Sequence, residues 1–361
     1  RKNSNMVIGG EFYQDERWAT GEPGVSTGQL TFLNGGKAAL IVISESLLNQ
    51  GIDQILLPSY LCPTIVDTLE QRGVKCAYYH VNIDLSPEPG DLASKARSQR
   101  AILFINYFGF HLPEPVKRQL MELQANGVIL VEDNAQGGFW QDSTGDFVFN
   151  SMRKLVPHDG GYLFSRFDVT PIIQKHHGMQ NRRLPVIREY RQKLADYLFK
   201  EKFSYPDLRD LYEMAERYYS TDVVVVGDGQ ERWFIEHLDW EGIKNRRRDN
   251  YLYLLNAIRE VEELPPIFPF LEEENLPLGL PVYVKREIRD QLFDDLGNEG
   301  IGLTVHWKDV ATDARLNHNP TAVDISRRIL TLVIDQRCSH KQLDHLVRTL
   351  KDCLCKYRMM I

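Results

Sequence analysis

Residues Val128 to Phe164 read VILVEDNAQGGFWQDSTGDFVFNSMRKLVPHDGGYLF, and this stretch decides the fold. It opens with the apolar run Val128 to Val131, which is short and β-branched enough to be a buried parallel strand. The acid pair Glu132-Asp133 follows directly, at the point where a strand delivers side chains to the carboxyl edge of a sheet. Open α/β sheets place their ligands at that edge, so the stretch predicts a ligand site.

Ser151 and Lys154 follow in the next connection, ahead of Gly160-Gly161 and another strand-like run. An acid at one strand end, followed by a hydroxyl and a lysine, is what a site for pyridoxal 5′-phosphate (PLP) requires. The lysine supplies the amine of a Schiff base, the acid pairs with the pyridinium nitrogen, and hydroxyl and backbone groups hold the phosphate. Taken singly, Asp133 is also interpretable as a helix cap, Lys154 as a solvated lysine and Ser151 as a loop serine.

Composition and motif content exclude several classes of protein. A net charge of −7 over 361 residues argues against a general nucleic-acid binder, which needs a basic surplus. No apolar run approaches a membrane span, no secretory leader is visible, and five cysteines without CxxC spacing are expected to be free thiols in the cytoplasm. The sequence also has no HExxH, no P-loop and no Gly-x-Gly-x-x-Gly after the first strand, so we expect neither a metal nor a dinucleotide.

Strands alternate with helices through the first half of the chain, which predicts an α/β fold with a mostly parallel sheet flanked by helices. We expect a large domain over residues 1–240, opening with an irregular arm over 1–30, and a smaller C-terminal α/β domain over 241–361. The strands predicted in the large sheet are 54–57, 74–81, 101–105, 128–131 and 162–164; those of the small domain are 280–284, 303–305 and 327–334.

Gly35-Gly36 precedes a helical stretch that runs on from Lys37. A helix that begins there offers unpaired backbone N–H groups and a positive dipole end, which suit a phosphate. An ordinary loop-to-helix junction is the alternative interpretation.

A long helix is predicted over 241–262, with one side lined by Ile243, Tyr251, Leu254 and Ile258. We expect Arg246 to Arg248 on its solvated face, with contact to a partner or a phosphate as the alternative.

Seven ordered motifs extend the pattern along the chain: Asn34 to Leu40, Pro58 to Tyr60, Val81 to Asp84, Asn106 to Gly109, Glu132 to Gln136, Ser151 to Gly161, and Ile329 to Arg337. Together they resemble the DegT/DnrJ/EryC1/StrS family of sugar aminotransferases, which are fold-type I PLP enzymes. The resemblance spans roughly residues 30 to 350. It implies a large PLP-binding domain and a homodimer.

The resemblance also implies roles for individual residues. Asp133 holds the pyridine nitrogen, Gln136 contacts the phenolic oxygen of PLP, and Lys154 carries the Schiff base; Asp133 and Lys154 are thus the predicted catalytic residues. The predicted cofactor-binding set is Gly36, Lys37, Tyr60, Cys62, Asp133, Gln136, Ser151, Lys154 and Asn181.

The chain departs from the family pattern at several positions. Lys37 stands where relatives carry a hydroxyl, so backbone amides and Ser151 are expected to hold more of the phosphate. Cys62 stands where many relatives stack an aromatic ring on the cofactor, and Tyr60 is the second candidate for that contact. Relatives use an asparagine after the lysine to reach the neighbouring subunit's phosphate, and the available match is Asn181. The adjacent Arg182 and Arg183 are the candidates for an anionic substrate.

The implied reaction transfers an amino group from glutamate or glutamine to a ketosugar, which by resemblance is nucleotide-linked. Two alternatives remain open. One is PLP-dependent dehydration of a sugar, although dehydrating relatives replace the Schiff-base lysine by histidine. The other is a degenerate homologue with a binding or regulatory role, which Lys37 and Cys62 motivate.

Overall fold

The computed structural model of the chain describes residues 7–139, 143–200 and 202–358. The strands in these ranges are β1 (Ile8–Gly9), β2 (Thr31–Leu33), β3 (Gln54–Pro58), β4 (Lys75–Tyr79), β5 (Ala101–Ile105), β6 (Ile129–Asn134), β7 (Phe147–Asn150), β8 (Gly161–Ser165), β9 (Leu280–Tyr283), β10 (Ile301–Gly302) and β11 (Ile329–Leu332). The α-helices are α1 (Gly36–Asn49), α2 (Pro63–Gln71), α3 (Pro89–Ala96), α4 (Glu114–Ala125), α5 (Thr170–Lys175), α6 (Arg183–Lys200), α7 (Tyr205–Thr221), α8 (Gly229–Glu236), α9 (Trp240–Ala257), α10 (Arg286–Asn298), α11 (Pro320–Arg328) and α12 (His340–Arg358). None of the helices described is both long and apolar enough to cross a bilayer.

A seven-stranded sheet forms the centre of the described structure, in the order β2-β8-β7-β6-β5-β3-β4. Every neighbouring pair is parallel except those that β8 makes with β7 and β2, so β8 alone runs against the rest. The predicted α/β class with a mostly parallel sheet is therefore confirmed. Parallel pairing brings the ends of β5, β6 and β7 to one edge, and Asp133 is in register with Ile105 and Phe149.

The C-terminal region adds two small sheets, an antiparallel pair β9–β11 and a parallel pair β1–β10. Helix α9 begins at Trp240, with the carboxylate of Asp239 accepting the backbone N–H of Gly242 at 2.8 Å. This helix start lies at the predicted domain boundary, but the division into 1–240 and 241–361 stays a prediction. One continuous apolar core includes buried residues of both the large sheet and the β9–β11 pair.

Several sequence predictions about single elements are wrong. Residues 8–9 of the arm form a strand, because they pair with β10 rather than lying free. The strand predicted over 303–305 lies instead at Ile301–Gly302, and helix α11 occupies the start of the predicted 327–334 strand. The prediction also missed β2 and β7, which are three and four residues long and too short to show a reliable alternation.

Candidate active site

Asp133 lies at the carboxyl end of β6 and is 5% exposed. Its Oδ1 accepts the backbone N–H of Ala135 at 2.8 Å, which makes a local turn rather than a helix cap. Burial raises the pKa of Asp133 to about 7, and the Ala135 hydrogen bond and the nearby Lys154 only partly oppose that rise. The structure therefore holds a buried carboxyl whose negative charge is incompletely compensated, which is an environment that favours a cationic partner.

Glu132, the other acid of the pair, has a structural role. It alternates with Asp133 along the strand and so points to the opposite face of the sheet. Its carboxylate accepts N–H groups from the Asn106 side chain at 3.0 Å and from the Thr144 and Gly145 backbones at 2.8 and 3.0 Å. These bonds tie the ends of β5 and β6 to the segment that leads into β7.

Lys154 ends a short 3₁₀ turn, Met152–Lys154, that follows β7 directly. Because β7 is parallel to β6, this turn and Asp133 emerge at the same edge of the sheet, and the two side chains are close enough for their charges to interact. Burial and the neighbouring Arg153 lower the pKa of Lys154. No hydrogen bond or ion pair to the Lys154 amine occurs within the described ranges.

Lys154 faces a cavity of about 180 Å³ that His306, Arg153 and Arg247 also line. The Nδ1 of His306 lies 3.0 Å from the Thr331 hydroxyl, and burial, with Lys154 nearby, lowers the pKa of His306 to about 3. His306 is therefore neutral at physiological pH. The arm contributes Gly9 to Phe12 to the same cavity, so the N-terminal residues help to enclose the lysine.

The predicted phosphate turn and Ser151 come together at the start of α1. Gly35 precedes the helix with φ 98° and ψ −170°, a conformation open essentially to glycine alone, and no side chain caps the helix. A Cβ placed on Gly35 would lie 3.8 Å from the Ser151 hydroxyl, and one on Gly36 would lie 3.7 Å from the Ser151 Cβ. The uncapped N–H groups of the helix and the hydroxyl thus converge, as binding of a phosphate requires.

Asn181 and Lys37 have defined positions beside this turn. The Asn181 amide donates to the Asn34 side chain at 3.0 Å in the same chain, while its oxygen accepts the Leu184 N–H at 3.1 Å. The Lys37 ammonium donates to the Tyr219 and Ser220 carbonyls at 2.9 and 3.0 Å, at the C-terminal end of α7. Lys37 can therefore contribute its backbone N–H to a phosphate, as expected, while its side chain stabilises a neighbouring helix.

Gln136 is oriented by the segment after β5. Its Oε1 accepts the backbone N–H of Phe108 at 2.7 Å, so its amide nitrogen remains as a donor. Phe108 and Gly109 both have positive φ, and a Cβ on Gly109 would lie 2.0 Å from the Leu276 carbonyl oxygen. The Asn106 to Gly109 motif thus fixes the backbone that positions Gln136.

The two candidates for stacking on a ring lie in different environments. Tyr60 is fully buried, with its ring centroid 5.4 Å from that of Trp307 and 6.0 Å from that of Tyr107. Cys62 is half-buried at the start of α2 and close enough to Lys154 to influence its charge. This placement favours Cys62 as the residue nearer to the lysine.

Arg182 and Arg183, the predicted substrate contacts, are both engaged in ion pairs. Arg182 pairs with Asp222 on the surface. Arg183 is buried and donates to Asp159 at 2.7 Å and to Glu216 at 2.7 Å. Asp159 belongs to the loop after Lys154, so Arg183 fixes that loop against α6 and α7 and is not open to a substrate.

The chain matches no protein-family model and no curated protein sequence, whereas many solved structures are similar to it. The aminotransferase TlmJ from Streptoalloteichus hindustanus is 18% identical, with 92% of this chain and 88% of that one covered at a TM-score of 0.64. The putative sugar aminotransferase Spr1654 from Streptococcus pneumoniae, solved in its PMP form, is 15% identical. The match covers 98% of this chain and 99% of that one, at a TM-score of 0.70. A DegT DnrJ EryC1 StrS aminotransferase from Brucella abortus is 16% identical, with 90% of this chain and 85% of that one covered at a TM-score of 0.59. The fold is that of these aminotransferases.

Within this aminotransferase fold, two residues of the cavity were not predicted from the sequence. His306 follows the strand-like run Leu303-Thr304-Val305, and a histidine at the end of such a run was the available signal. Arg247 was expected on a solvated helix face, and that expectation is wrong, because it is 1% exposed. It lies four residues from both Ile243 and Tyr251, so helical spacing already placed it on the buried face.

Arg247 joins the lysine-bearing turn to the C-terminal region. Its guanidinium donates to the Gln336 side chain at 2.9 Å and to the Pro277 and Leu278 carbonyls at 3.1 Å each, with a longer contact of 3.4 Å to the Leu155 carbonyl. The Gln336 amide also donates to Leu155 at 2.8 Å. Burial lowers the pKa of Arg247 to about 10, so it stays charged at the edge of the Lys154 cavity.

Proposed function

We propose that this chain is a PLP-dependent aminotransferase that moves an amino group from glutamate or glutamine to a ketosugar. The observation that carries the proposal is that an incompletely compensated buried carboxyl, Asp133, and the amine of Lys154, which forms no hydrogen bond with the residues described, lie near one another at one sheet edge. The helix start at Gly35-Gly36 and Ser151 lies beside the same edge. These residues supply what PLP needs, namely a carboxylate for its ring nitrogen, an amine for its aldehyde and donors for its phosphate.

When bound, PLP supplies an electron sink for negative charge that develops on a substrate carbon. Asp133 would hold a proton at the ring nitrogen, and that neighbouring positive charge would lower the pKa of the carboxyl from its present position near 7. Gln136 would donate its amide N–H to the phenolic oxygen. Burial lowers the pKa of Lys154, which favours the neutral form of the amine that would accept and return the substrate proton.

The amino donor carries carboxylates, and Arg153 and Arg247 are the guanidinium groups that line the Lys154 cavity. The Nε of Arg153 is buried and has no acceptor among the described residues. Arg153 also pairs with Glu216 through Nη1, at 3.4 Å, but this contact is longer than the ion pairs of Arg182 and Arg183. The orphaned Nε therefore makes Arg153 the stronger candidate for the donor's carboxylate. An Arg153→Gln variant is expected to raise KM for glutamate while leaving PLP affinity within about twofold, because a lost charge-assisted bond weakens the donor alone.

Borohydride reduction of the PLP-loaded protein tests the assignment of the lysine. Mass spectrometry is expected to find the cofactor on the peptide that contains Lys154, and Lys154→Ala is expected to lose it. Lys37→Ala is the matched control, since the Lys37 ammonium donates to carbonyls at the end of α7 and the backbone N–H survives the substitution. Cofactor attached elsewhere in the wild-type protein would contradict the proposal.

Activity separates the remaining functions. Production of 2-oxoglutarate from glutamate, dependent on an added ketosugar, supports transamination, whereas loss of water from the sugar without that product supports a dehydratase. Protein that stays colourless after incubation with PLP would support a binding or regulatory homologue instead.

The nucleotide link of the acceptor, a homodimer and a cytoplasmic location are further parts of this proposal. They rest on the resemblance of the sequence motifs to the sugar aminotransferase family. Light scattering coupled to size-exclusion chromatography would measure the mass of the assembly, and a monomer at micromolar concentration would contradict the homodimer.

A further inference from the structure

A second, larger cleft of about 730 Å³ opens near the ends of β4 and β5. No residue that lines it also lines the Lys154 cavity. The Phe108 ring lies between them, with its centroid 5.2 Å from His306 on the lysine side and 6.3 Å from Phe268 on the cleft side. The cleft is therefore a neighbouring but separate space, of a volume that suits a small molecule, typically about 300–1,000 Å³.

The cleft wall carries aromatic rings. Phe110 and Phe268 stack in parallel with centroids 4.1 Å apart, and Phe270 beside them is 82% exposed. An aromatic side chain this exposed at the mouth of a cleft leaves a large apolar face without a protein neighbour. Such a face can pack against the C–H surface of a ring or lie under a cation.

The charge of the lining is strongly negative. Four carboxylates line the cleft against one ammonium, that of Lys117; they belong to Asp84, Glu114, Glu272 and Glu274. Burial and Lys117 lower the pKa of His111, so this histidine adds no compensating positive charge at neutral pH. The lining disfavours a phosphorylated ligand and favours a cation.

Two of these carboxylates are open to a ligand. Those of Glu272 and Glu274 make no hydrogen bond or ion pair with any residue the structure describes, and both side chains are exposed on one short loop. Asp84, in contrast, already accepts from Ser86, and Glu114 lies 4.0 Å from Arg118. The loop of residues 272–275 thus presents the free negative charge.

A buried amide adds an independent sign of a ligand. Asn275 is 1% exposed and lines the cleft, and its oxygen accepts the Glu272 backbone N–H at 3.0 Å. That bond fixes the orientation of the amide, whose nitrogen then has no acceptor in the described ranges. A buried N–H donor without a partner is unfavourable unless a ligand or water supplies an oxygen.

We propose that this cleft binds a polyhydroxylated ligand that carries a protonated amine, such as an amino sugar. The ammonium group would lie against Glu272 and Glu274, a hydroxyl oxygen would accept from Asn275, and the ring would pack on Phe270. This site goes beyond the proposed transamination, although the product of that reaction belongs to the same chemical class.

Calorimetric titration of the full chain with glucosamine, glucose and glucosamine 6-phosphate tests the ligand class. Glucosamine is expected to bind at least about fivefold more tightly than either of the others, because glucose lacks the cation and the phosphate meets the acidic wall. Equal binding of glucose and glucosamine, or tightest binding of the phosphorylated sugar, would overturn the proposal.

Charge-neutralising variants of one loop locate the site. Glu272→Gln and Glu274→Gln are each expected to weaken glucosamine binding about threefold to fivefold, and Phe270→Ala to weaken it further. Glu273→Gln is the matched control, because Glu273 is exposed on the same loop but does not line the cleft. An equal loss in the control would show a general charge effect and refute the site.

The Lys154→Ala variant separates this site from the proposed active site. Glucosamine binding is expected to remain within about twofold of the wild-type value in that variant, with or without PLP, because the two spaces share no lining residue. Loss of binding in Lys154→Ala would assign the sugar to the lysine cavity and overturn the inference, whereas failure of transamination would leave this result unaffected.

Discussion

Replacing Asp133 by asparagine should stabilise the cofactor-free protein while it weakens cofactor binding. Burial raises the pKa of this carboxyl from 3.8 to about 7. The folded state therefore keeps the proton that the unfolded chain releases near pH 4, and the stability of the folded protein falls as pH rises through this window. The free energy of unfolding falls by at most about 1.4 kcal/mol per pH unit. The total loss, with an upper bound of about 4 kcal/mol, is reached above about pH 7.

Asparagine has nearly the same shape, can keep an oxygen toward the Ala135 N–H and has no charge to bury. The free energy of unfolding of Asp133→Asn should therefore exceed that of the wild type by a margin that grows between about pH 4 and about pH 7 and then levels off. Urea denaturation of both cofactor-free proteins at about pH 5 and about pH 8 measures the margin, with equal m-values as the check for two-state behaviour.

Asp168→Asn is the control, because Asp168 is an exposed carboxylate whose side chain already accepts the Thr170 N–H. It should not stabilise the protein at high pH. A margin for Asp133→Asn that is the same at both pH values would refute the reasoning about burial. Titration with PLP completes the test, since the stabilised variant should bind the cofactor more weakly than the wild type if Asp133 supplies the charge for the ring nitrogen, as proposed.

Three further substitutions test the surroundings of the site. Ser151→Ala should weaken PLP binding about tenfold in a fluorescence titration but leave pyridoxal binding unchanged, since only the phosphate needs the hydroxyl; equal losses would contradict the phosphate assignment. Gly35→Ala should lower the free energy of unfolding by about 1–3 kcal/mol, because alanine is strained at φ 98°. Gly28→Ala should change the free energy of unfolding little, because Gly28 has open space around its Cα and no positive φ. Arg183→Ala should destabilise the protein by about 3–5 kcal/mol, because it removes a partner of the buried Asp159. Substitution of the exposed Arg182 by alanine should destabilise it far less. Similar losses in the two variants would refute the stabilising role of the buried ion pair.

The sequence predicted the central sheet, and it placed the candidate site at the carboxyl edge of that sheet. Neighbouring residues alone are enough to recognise the apolar run that ends in Glu132-Asp133 and the lysine in the following connection. An apolar strand must be buried, and the residues at its end must emerge at an edge of the sheet. The prediction was weakest for short strands. β7 matters most among these, since its parallel pairing with β6 places the Lys154 turn beside Asp133.

Several roles depended on contacts between distant parts of the chain. Arg182 and Arg183 look alike in sequence, yet only Arg183 is buried against Asp159 and Glu216. Arg247 was expected in solvent and instead bridges Gln336 and the turn after Lys154. A guanidinium group can lie on either side of a helix, and the carbonyl groups that accept its hydrogen bonds come from segments that no local pattern connects.

By itself, the sequence determined the parallel sheet, the acid at its edge and the lysine in the connection that follows, because hydrophobic periodicity and glycine placement act over a few residues. Only the tertiary structure decided that the arm and His306 enclose the lysine, and that the acidic loop after Phe270 forms a separate cleft. The physical reason is that burial, and with it the pKa of Asp133 and the orphaned donor of Asn275, depends on atoms brought together from across the whole chain.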